Sequence, residues 1–189
     1  LDTMDNVVQG QRCEPDWFDK AFGVDQSVVL ELGCGRGDYT IALARSQPNR
    51  GVIGVDRNGA RLWKGARKAL DEGLTNAVFL HSRIEYLEDH IPPGRVAEIW
   101  LPFPDPLPKH RQAGHRLTSP LFVGCYRRLL CAGGAMHLKT DDSDLVTCAE
   151  RAVRGAGGRV VWGDDKIAGT GGPETAVQTT YEKRYRREG

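Results

Sequence analysis

From Ser27 onward, apolar runs of strand length alternate with segments of helical period, and this alternation limits the possible folds more than any other feature of the chain. Ser27–Leu32, Gly51–Asp56, Ala77–His81, Val96–Leu101 and Ala135–Lys139 read as buried strands. Between and after them, Asp38–Gln47, Asn58–Glu72, Ile84–His90, Leu121–Leu130 and Asp142–Val153 read as helices. In the second of these, Leu62, Trp63, Ala66, Ala69 and Leu70 fall on one face. Ser119 followed by Pro120 reads as an N-cap with proline at the first helical position. Two further strands are expected at Arg159–Trp162 and Val177–Tyr185, with the loop Gly163–Pro173 between them. Parallel strands need crossovers long enough for a helix, and strands covered on both faces lose polar alternation. The pattern therefore predicts an α/β three-layer sandwich around a mostly parallel, seven-stranded sheet, as one domain over residues 1–189. Ligands of such sheets bind outside the carboxyl ends of the strands, so the loops after the strands are where chemistry belongs.

Composition removes several other classes. No apolar stretch approaches the length of a membrane-spanning helix, because charged side chains recur throughout. The first sixteen residues carry Asp2, Asp5, Glu14 and Asp16, which reads against a secretory leader. The five cysteines are an odd number with no C-x-x-C pair, so a disulfide framework or a cysteine-rich zinc site is not expected, and a reducing, cytoplasmic setting is. No histidine spacing suggests a metal site. The net charge of +1 gives no overall sign of a nucleic-acid partner.

The first strand runs into Glu31-Leu32-Gly33-Cys34-Gly35-Arg36-Gly37. Glycines at alternate positions permit positive φ and close approach of backbone to a ligand. The spacing is G-x-G-x-G, not the G-x-G-x-x-G of a dinucleotide site, and an acid precedes it. A carboxylate there would repel a pyrophosphate but accept from an ammonium group. Asp56 ends the second strand, where a carboxylate suits the two hydroxyls of a ribose. The combination resembles the cofactor site of class I S-adenosylmethionine-dependent methyltransferases. Ser82 ends the third strand, where many such enzymes place a side chain near the adenine.

After the fourth strand, Pro102, Pro104, Pro106 and Pro108 alternate around Asp105. None is spaced as P-x-x-P, so this is not a ligand for proline-recognition modules. Alternate prolines predict a stiff, extended path that holds Asp105 rigidly at a strand end. The segment FPDPLPKHRQAGHRLTSP (Phe103–Pro120) resembles the signature of tRNA (guanine-N7-)-methyltransferases. LELGCGRG and GVDRNGARLWKGA before it, and HLKTDD and TTYEKRY after it, follow in the family's order. The resemblance implies a Rossmann-like class I methyltransferase fold, S-adenosyl-L-methionine as methyl donor, and a guanosine of the tRNA variable loop as acceptor. By motif position it implies Glu31, Gly33, Gly35, Gly37, Asp56, Ser82 and Asp105 around the cofactor, with Asp105 also the catalytic position. Lys109, Asp141, Thr179, Thr180, Tyr181 and Glu182 would contact substrate, and Arg111, His115 and Arg116 the RNA. Ser82 stands where members commonly carry Asp or Asn.

Localised charge agrees with an RNA partner. Pro106–Thr140 contains no acid and six bases, Lys109, Arg111, Arg116, Arg127, Arg128 and Lys139. The partners expected are tRNA and no membrane, with the chain a monomer or a homodimer. The alternatives are a methyltransferase acting on another RNA or a small molecule, a non-catalytic RNA-binding subunit of the same fold, and a nicotinamide-dependent oxidoreductase.

Overall fold

Alternate residues of the first long strand point into two different cores, which makes a three-layer arrangement unavoidable. The computed structural model describes residues 4–161. Within Val28–Leu32, Val28, Leu30 and Leu32 enter one apolar cluster and Val29 the other, and all five residues are buried. The described strands are β1 (Val7–Gln9), β2 (Val28–Leu32), β3 (Val52–Asp56), β4 (Ala77–His81), β5 (Val96–Pro102) and β6 (Leu130–Lys139). The helices are α1 (Trp17–Phe22), α2 (Asp38–Ser46), α3 (Gly59–Asp71), α4 (Leu87–His90), α5 (Pro120–Leu129) and α6 (Ser143–Gly155).

The strands form one sheet in the order β1-β4-β3-β2-β5-β6, and every neighbouring pair is parallel. The chain steps outward from β2 through β3 to β4, then returns to the other side of β2 for β5 and β6. The strand order thus reverses between β2 and β5, and a crevice opens at their carboxyl ends. α2 and α3 cover one face through Tyr39, Ile41, Leu43, Leu62, Ala66 and Ala69. α1, α4, α5 and α6 cover the other through Trp17, Phe18, Leu87, Phe122, Tyr126 and Ala152.

Some expectations fall outside the described residues and others need correction. Six strands lie within the described residues. Val177–Tyr185, Gly163–Pro173 and Trp162 lie outside the described residues, and Arg159–Val161 form no strand. β1 is an addition: three half-buried residues that pair with β4, Val7 opposite Phe79 and Gln9 opposite His81. α1 is a second addition, fastened by Arg95, which reaches Asp19 at 2.8 Å and lies 4.9 Å over the Phe18 ring. β6 begins at Leu130, five residues before its expected start, where Gly133 takes a left-handed turn. On α3, Leu62, Ala66 and Ala69 are buried as expected, but Trp63 is 45% and Leu70 41% exposed. Pro120 does open α5, yet the Ser119 hydroxyl donates to the Gly114 carbonyl at 3.1 Å and makes no capping bond.

Candidate active site at the carboxyl edge of the sheet

In a parallel sheet all strand ends of one sense fall on one edge. Glu31, Asp56, Ser82, Asp105 and Asp141 end or follow β2, β3, β4, β5 and β6, so five separate stretches of sequence converge there. The turn after β2 takes its shape from glycine. Gly33, Gly35 and Gly37 have φ of 77°, 56° and 70°, all left-handed. The N–H groups of Gly33 and Cys34 donate to the Val55 carbonyl at 2.8 and 3.0 Å, locking the turn onto β3. A Cβ on Gly37 would lie 2.5 Å from the Phe79 ring and 3.2 Å from Gly65 Cα. Both conformation and space therefore exclude a side chain at Gly37, which caps α2 and aims that helix's first N–H groups at the turn.

Glu31 is 3% exposed, and its carboxylate accepts from the Thr40 hydroxyl. Burial pushes its pKa up to about 8, Asp38 and Asp56 push the same way, and the Thr40 bonds oppose them. Among the described residues no cation pairs with it. A buried acid with no cation beside it favours a cationic group if one is supplied. Burial, with Glu31 adding to it, also raises the Cys34 thiol, which keeps it neutral. At the next strand, Asp56 Oδ2 accepts from the Gly35 N–H at 2.8 Å and Oδ1 from the Asn58 N–H at 2.7 Å. Each oxygen keeps a further lone pair, so the carboxylate is fixed in orientation and can still accept from a pair of hydroxyls.

Beyond Asp56 lies a cavity of about 730 Å³, lined by Arg57, Ser82 and His90 and closed by Gln9, Gly10 and Arg12 of the N-terminal segment. Ser82 Oγ is 3.0 Å from His90 Nε2 and 3.2 Å from the Arg83 carbonyl. Ser82 is legible at its strand end but its neighbours are not: nothing in the spacing of Gly10, Cys13 or His90 reveals that they meet. Thr40 was likewise missed, although its place on the first turn of α2, one helix turn from the glycine loop, is a usable signal.

The proline loop departs from the extended path expected of it. Phe103 and Leu107, each followed by proline, have φ of 50° and 43°. Such conformations cost about 1–3 kcal/mol each and persist only where neighbours fix them. Here the Phe103 N–H donates to the Lys139 carbonyl at 2.7 Å. Arg116 holds the Leu107 carbonyl with two N–H groups at 3.3 Å each. The chain therefore turns on both sides of Asp105, which is exposed between the two anchors. Arg116, expected at the RNA, is a half-buried brace of this loop. Lys109, Arg111 and His115 are exposed along the 3₁₀ segment His110–His115 or just before it.

Asp141 is exposed after β6. Its neighbour Asp142 caps α6, accepting from the Leu145 N–H at 2.8 Å. Thr179, Thr180, Tyr181 and Glu182 lie outside the described residues. The basic run Pro106–Thr140 does not form one face. α5 leads back to the amino edge, where the Arg128 carbonyl receives the Gly94 N–H at 3.0 Å and its guanidinium grips Glu88 at 2.5 and 2.6 Å. Arg127 and Arg128 are thus remote from Asp105, and Lys109 and Arg111 are the exposed bases beside it.

The fold and this edge define the class. A solved structure of an antibiotic-related methyltransferase superposes with a TM-score of 0.67 at 17% identity, covering 92% of this chain and 88% of that one. A family model described as a putative methyltransferase matches residues 25–189. The protein is a methyltransferase of the Rossmann-like α/β class. The tRNA (guanine-N(7)-)-methyltransferase of Christiangramia forsetii is 38% identical over 197 residues, 98% of this chain and 88% of the relative. That of Porphyromonas gingivalis is 41% identical over 176 residues, 92% of this chain and 71% of the relative. The chain belongs to the tRNA (guanine-N(7)-)-methyltransferase family.

Proposed function

We infer that the protein transfers a methyl group from S-adenosylmethionine to N7 of a guanosine in the variable loop of tRNA. One observation carries the reading beyond family membership: Asp105 is pinned between two left-handed residues on the same edge as Glu31, a buried acid with no cation beside it among the described residues, and the oriented carboxylate of Asp56. These residues fit the donor. Glu31 and the backbone of Gly33, Gly35 and Gly37 would hold its amino-acid end, Asp56 the ribose hydroxyls, and Ser82 the adenine. When bound, S-adenosylmethionine supplies an electrophilic methyl on a positively charged sulfur.

The acceptor shapes what the protein must add. Guanine N7 carries a free lone pair on its Hoogsteen edge, so no side chain has to remove a proton before attack. The residues instead align the acceptor, and alignment of this kind supplies roughly 7–11 kcal/mol. As N7 is methylated the guanine ring becomes cationic. The Asp105 carboxylate stabilises that charge and accepts from a guanine N–H. Lys109, Asp141 and the segment Thr179–Glu182 take the substrate, with Arg111 and His115 on the RNA backbone and Arg116 acting through the loop it braces.

Asp105→Asn tests this assignment. The change keeps size and removes the charge, so single-turnover methylation should fall roughly a hundredfold while S-adenosylhomocysteine still binds. Undiminished turnover would remove Asp105 from the chemistry. The alternative of another RNA or a small-molecule acceptor predicts methylation elsewhere, and a non-catalytic RNA-binding role predicts none.

A further inference from the structure

Resting on the reading above for the nature of the ligand, we infer that His90 is a positioning residue that makes Ser82 a hydrogen-bond acceptor only, and so selects adenine over a 6-oxopurine in the cavity beyond Asp56. Ser82 has one hydroxyl hydrogen and two lone pairs. His90 Nε2 lies 3.0 Å from Ser82 Oγ, and His90 Nδ1 lies 3.5 Å from Cys13 Sγ. Cys13 Sγ in turn lies 3.4 Å from the Gly10 carbonyl. Burial holds the His90 pKa below its ordinary value, so the ring is neutral near pH 7 and carries a single N–H.

Two tautomers are then available. With hydrogen on Nδ1, His90 donates to the Cys13 sulfur, the Cys13 thiol donates to Gly10, and Ser82 donates to Nε2. With hydrogen on Nε2, His90 donates to Ser82, the thiol donates to Nδ1, and Ser82 donates to the Arg83 carbonyl at 3.2 Å. In both, the Ser82 hydrogen is used inside the protein and at least one lone pair is left for the cavity. The exocyclic amino group of adenine donates and is matched by that lone pair. The 6-oxo group of hypoxanthine accepts and is opposed by it.

The surrounding scaffold is built for this contact. Trp17 Nε1 donates to the His90 carbonyl at 2.9 Å, fixing the end of α4. β1 delivers Gly10 directly onto the pair: a Cβ there would stand 2.8 Å from His90 Nε2 and 3.0 Å from Ser82 Oγ. Glycine is the residue that lets the N-terminal segment close over both without separating them.

The test is calorimetric binding of S-adenosylhomocysteine and of its deaminated counterpart, S-inosylhomocysteine, to the full chain. The wild type should favour the adenine form about tenfold. His90→Ala removes the 3.0 Å anchor and leaves Ser82 the longer contact to the Arg83 carbonyl at 3.2 Å, so the hydroxyl can turn towards the cavity and the ratio should fall to about threefold or less. Ser82→Ala should collapse it equally, and the double variant no further. His90→Gln, whose amide can donate to Ser82, should retain most of it. A wild-type ratio in Ser82→Ala, or in folded His90→Ala, overturns the inference, and His90→Phe, which fills the space without a hydrogen-bonding atom, takes the place of His90→Ala if that variant does not fold. A His90→Ala effect that persists on the Ser82→Ala background also overturns it. Wild-type protein that binds neither compound would instead defeat the cofactor assignment itself.

Discussion

Glu31 shows how a single residue links folding to binding. Burial raises it to about 8, so the protein without ligand holds this acid largely protonated at neutral pH. The sign for stability follows from the raised value. The contribution of that proton is complete below the ordinary carboxylate range and is lost as pH climbs towards about 8. An ammonium group beside Glu31 reverses the preference and expels the proton. S-adenosylhomocysteine should therefore release close to one proton when it binds at pH 7, and bind more tightly as pH rises to about 8. Calorimetry in phosphate and in Tris, whose ionisation heats differ, reads this directly. Equal heats in the two buffers would place the ligand's cation elsewhere. At this scale the sequence was only partly legible. Glu31, Asp56 and the glycines were visible because strand ends and turns leave marks in residue type. The left-handed Phe103 and Leu107 were not, because a following proline argues for extended backbone, and the bonds from Lys139 and Arg116 that hold the observed turn come from outside the local stretch.

Among elements, length and burial on both faces governed what could be read. β2 to β5 are predominantly apolar runs and were plain. β1 has three half-buried residues and no periodicity to detect, yet it sets the wall of the cavity beyond Asp56. The helical period of α3 was right, but a period fixes a direction and not how far the neighbouring layer extends. Trp63 and Leu70 therefore stand partly in solvent while Leu62 is fully buried. The contrast has a measurable consequence. Leu62→Ala should cost about 2–5 kcal/mol in urea unfolding. Trp63→Ala should shift stability by less than about 1 kcal/mol. Equal losses would mean that Trp63 is covered.

For the whole molecule, a net charge of +1 conceals a local excess of bases after Asp105, and the part of it near the site is smaller than the linear sequence suggests. Lys109 and Arg111 are exposed four and six residues after Asp105, whereas Arg128 is tied to Glu88 near the opposite edge. Replacing Lys109 and Arg111 together with Ala should weaken tRNA binding and lower the slope of log affinity against log salt by about 2. Arg127→Ala should leave that slope unchanged. A slope that responds to Arg127 and not to Lys109 and Arg111 would move the RNA to the other side of the sheet. The most direct test of the account is to supply the protein with unmodified tRNA and methyl-labelled S-adenosylmethionine, then cleave the RNA at N7-methylguanosine. The account predicts label incorporation and a single cleavage in the variable loop. Absence of label, or label at any other atom, would contradict it.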